Sequence, residues 1–286
     1  MRGTGSLQYG AQFGGMLNYV TKQPNENKKI SFEAINTVGS FGLLSTYNSV
    51  GGKIGKIKYF AYFNKRVSDG YRDNASSDAN AAQITLEYSA IENLTIKAEW
   101  AKSAYVYRLP GALTDAMFNA NPKQSTRKRN YFNPDINVPS ISVDWKINND
   151  AQLLLTTSAV LGARNSVMFD KTADINDTIV TSTNQYNNRQ VDIDHFNSYY
   201  SELRFLQKYK LNNQISALAI GLQYVNGDLH RQQLGVGTRG SDFDLSLVTS
   251  GFGRDLHYKT QNFAFFIENN FKISEHSSSK TPATTS

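Results

Sequence analysis

Leu94-Thr95-Ile96-Lys97-Ala98-Glu99-Trp100 places Leu94, Ile96, Ala98 and Trp100 on one side of an extended chain, and Thr95, Lys97 and Glu99 on the other. Side chains of a strand alternate between its two faces, so this stretch reads as a β-strand. Its polar face decides the kind of sheet. Lys97 and Glu99 would be intolerable in the dry core of a sandwich, because unpaired buried charge is heavily penalised. They suit a wide barrel with a polar lumen and an apolar exterior. Ile141-Ser142-Val143-Asp144-Trp145-Lys146-Ile147 repeats the design. So do Leu203 and Phe205 against Glu202 and Arg204, and Phe263, Phe265 and Ile267 against Asn262 and Glu268.

The composition of the 286 residues agrees by exclusion. No run of about 18 apolar residues exists, so membrane-spanning helices are ruled out. With no cysteine, there is no disulfide framework, thiolate metal site or thiol nucleophile. Sixteen tyrosines and sixteen phenylalanines are too many for a disordered chain. The net charge is +6.

Roughly ten strands are expected, near 30–38, 43–54, 57–67, 81–90, 94–107, 139–147, 151–163, 198–209, 214–225 and 258–272. Even strands are followed by short turns such as Gly55-Lys56, Ile91-Glu92-Asn93 and Asn148-Asn149-Asp150. Odd strands beyond the first are followed by long links at 68–80, 108–138, 164–197 and 226–257. Several loops beyond about 12–15 residues are unusual in a compact soluble domain. Outer-membrane barrels have short periplasmic turns and long external loops as a rule. The expected fold class is therefore all-β: a transmembrane antiparallel β-barrel, present in part. Trp100, Tyr105, Tyr107, Trp145, Tyr199 and Tyr224 are the expected interfacial aromatics. The alternative is an all-β sandwich with decorated loops.

The ends suggest a fragment. Met1-Arg2-Gly3-Thr4 opens with no positive region or apolar stretch of an export signal. Residues 275–286 are Ser-, Thr- and Lys-rich and are expected to be a disordered or off-frame tail.

Residues 2–24 read RGTGSLQYGAQFGGMLNYVTKQP. Their glycines imply tight turns, and no strand–GxGxxG–helix context supports a phosphate site. Arg2, Gly3, Gly5, Tyr9, Gly10, Gly14, Gly15, Asn18, Val20, Thr21 and Lys22 resemble the segment that closes the plug domain of TonB-dependent outer-membrane receptors. In that family a plug precedes a barrel of about 22 strands. The resemblance implies the C-terminal end of a plug at 1–26, the N-terminal part of the barrel at 27–274, and an outer-membrane location in a Gram-negative bacterium. It also implies energisation by the TonB–ExbB–ExbD complex through a region outside this chain.

Within the family, the barrel segments are most similar to ferric citrate receptors. Leu109-Pro110-Gly111-Ala112-Leu113-Thr114 and Lys123-Gln124-Ser125-Thr126-Arg127 resemble one of their loops. Arg164, Arg189 and Arg254 match loop arginines that hold citrate carboxylates in those receptors. Guanidinium forks bind carboxylates bidentately and stay charged. The resemblance thus implies a receptor for ferric citrate or a similar anionic ferric siderophore, with Lys123, Arg127 and Arg129 as outer-rim contacts. The iron arrives as part of the chelate, so no cofactor or protein metal site is expected. His195, His230, His257 and His276 show no metal-ligand spacing.

Other readings of the same residues are weaker. The basic, aromatic run 123–132 is of a kind that binds nucleic acid, but in an external loop it suits an anionic chelate or lipopolysaccharide phosphates, or is simply solvated. Lys97, Glu99, Asp144, Lys146, Glu202 and Arg204 are expected to be wall residues. Asp192, Asp194 and His195 lack a nucleophile motif, so catalysis is not expected. A TonB-dependent receptor for another ligand is one alternative; a passive porin or adhesin is another, and simple porins lack the plug-closing segment.

Overall fold

The computed structural model describes residues 21–211, 214–274 and 277–285. The glycine-rich motif at 2–18 and His276 lie outside them. Among the described residues eleven strands form one antiparallel sheet in sequence order, from β1 at one edge to β11 at the other. They are β1 (Ser31–Gly39), β2 (Leu43–Ile54), β3 (Ile57–Ser68), β4 (Ser77–Ile91), β5 (Leu94–Arg108), β6 (Tyr131–Lys146), β7 (Ala151–Met168), β8 (Gln190–Leu211), β9 (Gln214–Gly237), β10 (Leu247–Ser274) and β11 (Ser277–Thr285). A short helix, α1 (Asp115–Ala120), sits in the β5–β6 loop, capped by the Thr114 side chain, which accepts from Met117 N. Among the described residues no helix is long and apolar enough to cross a membrane, which says nothing of strands.

Strand register turns the local alternation into a continuous apolar surface. Tyr88, Ile96, Val143, Leu155, Leu203, Leu222 and Phe265 are successive cross-strand partners from β4 to β10. This band is bare: Phe263 is 72% exposed, Ile141 56% and Leu222 55%. So large an apolar face would be an interaction surface on any protein; running across seven strands, it matches the lipid-facing band of a barrel. One residue along, Glu87, Lys97, Ser142, Thr156, Glu202 and Gln223 form the matching row on the opposite face. There charges are paired rather than dry. Lys58 bridges Glu26 at 2.8 Å and Glu87 at 2.9 Å, and Lys97 meets Glu99 at 2.9 Å. Glu202 takes Arg204, Tyr200 and Gln223 together.

The band changes character at the long-loop end. Tyr131, Val167 and Val191 are cross-strand partners on the apolar side, yet Val167 and Val191 are 0% exposed. Here the apolar face is covered by loop. The Tyr131 hydroxyl donates to Ser241 O at 2.8 Å, and its ring meets Phe243 edge-on at 5.9 Å. An apolar face that leaves lipid for water needs such a cover.

The structure departs from the sequence reading in three places. Strands β6 to β10 extend well beyond the expected ranges at the long-loop end, so the loops shrink to 109–130, 169–189 and 238–246. Outside the membrane band the apolar–polar alternation fades, while ladder hydrogen bonds, being backbone bonds, continue. Residues 277–285, expected as a disordered or off-frame tail, form β11 against β10. The β10 edge offers unpaired backbone groups that a Ser/Thr-rich segment can satisfy, and Pro282 is tolerated because β11 is itself an edge. Finally, Trp100, Trp145, Tyr199 and Tyr224 lie on the apolar face, but Tyr105 and Tyr107 do not. Standing an odd number of residues from Trp100 in one strand, they face the polar side.

Leu222→Arg, in the middle of the band, is expected to destabilise the bilayer-inserted protein by about 2–4 kcal/mol. Thr156→Arg, on the polar face beside Glu202, should cost far less; urea titration in lipid vesicles would compare them.

Candidate functional site

The β5–β6, β7–β8 and β9–β10 loops converge, and three arginines tie them together. Arg129 grips Asp177 with two bonds, Nη2 to Oδ1 at 2.6 Å and Nε to Oδ2 at 2.9 Å. Its remaining donors go to Arg239 O, Gly240 O and Asn187 O, and it lies 4.1 Å from the Tyr186 ring centre. Arg189 donates to Arg129 O at 3.1 Å, Asp242 O at 2.9 Å and Thr238 Oγ1 at 3.3 Å. Burial and the adjacent Arg129 charge lower its pKa. Arg127 donates to Thr126 O, Ile175 O, Thr172 O and Lys171 O, 5.3 Å over the Phe169 ring. Where Arg127 passes Gly111, any Cβ would sit 2.5 Å from Arg127 Cγ, and the backbone there has φ +82°, so only glycine fits.

These contacts correct the expected roles of Arg127, Arg129 and Arg189. Each is at least 96% buried, and their guanidiniums donate to loop carbonyls, to Asp177 and to the Thr238 hydroxyl. Loop carbonyls have no ladder partner, and the five-donor fork of arginine satisfies several at once. Arg72, which the sequence reading passed over, does the same work, donating to Gln124 O and Gly111 O. Lys123 is exposed at the edge of this assembly, 5.6 Å over the Tyr71 ring.

The other two expected arginines stand on the polar face of the sheet, below the loops. Arg164 on β7, Asp194 on β8 and Arg231 on β9 are successive cross-strand partners. Asp194 receives Arg231 Nε at 2.9 Å and Nη2 at 3.3 Å, and pairs with Arg164. Its burial pushes the carboxyl pKa up, but the Arg231 and Arg164 bonds outweigh this and hold it below the usual carboxylate value. Two guanidiniums share one carboxylate, so the row keeps a net positive charge, with Arg164 and Arg231 still partly exposed. Arg254, on β10 opposite Gln233, is exposed and donates to the Gln233 side chain at 3.2 Å. It lies on the same face, one strand over from Arg231. Arg231 was not foreseen, since it falls in a stretch read as loop 226–257. Only strand register brings it beside Arg164.

The same pleat divides the remaining candidates. Asp194 and His195 are adjacent in one strand and so face opposite ways, while Asp192 accepts from Leu234 N and Gln190. The three do not converge. His195, His230 and His257 form a row on the apolar-band side, above Tyr224, with ring centres 6.2 Å and 5.1 Å apart. Asp255 and Asp228 bind two of them. Among the described residues no group of three or more His, Asp or Glu side chains could hold a metal ion.

A bare apolar band, a wet charged opposite face and long loops at one end define the wall of a transmembrane β-barrel. No protein-family model matches the chain. Solved structures of low sequence identity share this fold. The chain is similar to the unliganded ferric citrate transporter FecA (TM-score 0.69, 13% identity), with 90% of this chain and 40% of that one covered. It is similar to the ferripyoverdine receptor of the outer membrane of Pseudomonas aeruginosa (TM-score 0.70, 12% identity, 96% and 39% covered). The ferric-catecholate import receptor Fiu of E. coli K12 matches as well (TM-score 0.71, 13% identity, 96% and 46% covered). The fold is thus that of the siderophore-receptor barrels, and the chain spans under half the length of these structures.

Removing one partner of the buried Arg129–Asp177 pair is expected to cost about 3–5 kcal/mol. Asp177→Ala should open residues 169–189 to limited proteolysis, and Arg129→Met with Asp177→Leu should restore part of the protection. The lowered Asp194 pKa means its contribution to stability is full above the ordinary carboxylate range and is lost as pH falls through the lowered value. Asp194→Asn should therefore lose less stability between pH 5 and pH 2 than the unaltered protein, as read by thermal unfolding.

Proposed function

We propose that this chain forms part of the barrel and vestibule of a TonB-dependent receptor in the outer membrane of a Gram-negative bacterium, which imports an anionic ferric siderophore, with ferric citrate as the reference ligand. The observation that carries this reading is the exposed cationic row on the polar face, Arg164 and Arg231 around Asp194 with Arg254 beside them. A ferric chelate presents carboxylate oxygens around a metal that is already coordinated. The protein then has to supply positive charge and forked donors rather than metal ligands. The row also raises the local concentration of anions at the barrel wall. The arginine-tied loops hold the rim above this row, so the site is framed before ligand arrives. Residues 1–26 are the end of the plug on this reading, and the TonB–ExbB–ExbD complex drives release through a region outside this chain. The apolar band contacts lipid, and exposed Lys123 and Lys128 suit lipopolysaccharide phosphates. The activity is transport, not catalysis.

Ferric citrate titration of the full-length receptor tests the assignment. Losing one charge-assisted bidentate contact weakens binding by about tenfold or more. Arg164→Gln and Arg254→Gln are each expected to show such a loss. Unchanged affinity in both would overturn the reading.

A further inference from the structure

Tyr105 and Tyr107 are left without a role once the apolar band is traced. They sit on the polar face, and their rings lie 4.5 Å apart, tilted by 30°. Phe132 on β6 is the cross-strand partner of Tyr107, and its ring lies 6.1 Å from that of Tyr105. Together they make an aromatic shelf that faces the lumen rather than lipid, with Tyr107 37% exposed. Among the described residues neither phenol has a hydrogen-bond partner, although a buried or structural tyrosine usually finds one.

The shelf adjoins the cationic row. Phe132 is the partner of Ser166 on β7, and Arg164 is two residues along β7 on the same face. Such diagonal cross-strand neighbours stand roughly 7–8 Å apart. A stacking surface and a guanidinium at that separation suit one molecule that carries both an aromatic ring and an anionic group. Citrate has no ring to place on the shelf.

We infer that Tyr105, Tyr107 and Phe132 are the second half of the binding site, and that the ligand is an anionic ferric chelate of the aryl class, a catecholate or phenolate, whose ring stacks on the shelf while its anionic groups meet Arg164 and Arg231. This rests on the import reading above and narrows its ligand. Tyr105 and Tyr107 supply ring faces; Arg164 supplies charge on either kind of chelate. The shelf therefore discriminates between chelates that the arginines treat alike.

Binding to the full-length receptor is measured with two probes, ferric citrate and the ferric tris-complex of 2,3-dihydroxybenzoate. The unaltered receptor is expected to bind the aryl complex more tightly. Changing both Tyr105 and Tyr107 to leucine should weaken the aryl complex about tenfold and leave ferric citrate unchanged, which also reports that the barrel is intact. Tyr105→Phe with Tyr107→Phe should keep aryl binding within about twofold, because the ring faces remain. Arg164→Gln should weaken both probes. Equal loss of both probes in the leucine variant, no loss of either, or failure of the unaltered receptor to bind the aryl complex would overturn the proposal. Loss of aryl binding in the leucine variant, with both probes indifferent to Arg164→Gln, would instead overturn the anion reading and leave the shelf standing.

Discussion

The backbone of a segment that crosses lipid has no water to bond, so every N–H and C=O must find a partner within the protein. The rest of this structure follows from that constraint. It selects a ladder of antiparallel strands, and the pleat then places alternate side chains in lipid and in the wet interior. The row from Tyr88 to Phe265 and the row from Glu87 to Gln223 differ by a single step along each strand. A slip of one residue in any pairing would put Lys97 or Glu202 into lipid and Ile96 or Leu203 into water, so register is strongly specified. The sheet therefore needs no dry core of its own, and the fully buried large side chains include two arginines of the loop assembly.

Above the lipid the constraint reverses. Loop carbonyls have lost their ladder partners, and the apolar face of the sheet would meet water. Arg127, Arg129 and Arg189 meet the first need by donating to carbonyls of neighbouring loops. Tyr131, Val167 and Val191 under the loops meet the second. The same residue type, a few residues further down the strands, serves differently. Arg164 and Arg231 share Asp194 and stay partly open, while Arg254 is exposed. Burial and available acceptors decide which arginine is mortar and which is free to meet a ligand.

How much of this could be read from the residues depended on whether the pattern was local. Strands β2 and β3 were expected at 43–54 and 57–67 and occur at Leu43–Ile54 and Ile57–Ser68, since their alternation and the Gly55-Lys56 turn are written within a few residues. The outer halves of β8, β9 and β10 were missed because Asp192, His195, Arg231 and Asp255 carry no apolar alternation. Arg129 and Arg189 drew notice as basic loop residues, but their partners Asp177 and Asp242 are tens of residues away in sequence. No spacing rule links them.

The sequence by itself determined the strand alternation, the contrast of short turns with long loops, and hence a barrel wall with one face for lipid and one for water. These are properties of period two and of residue type, and neither needs a partner strand to be known. Only the tertiary structure decided which arginines are buried, that Arg231 joins Arg164 across Asp194, and that Tyr105 and Tyr107 turn inward beside Phe132. Those facts depend on register between strands and on loops meeting across the rim. They are set by pairing over long sequence separations, which no local pattern encodes.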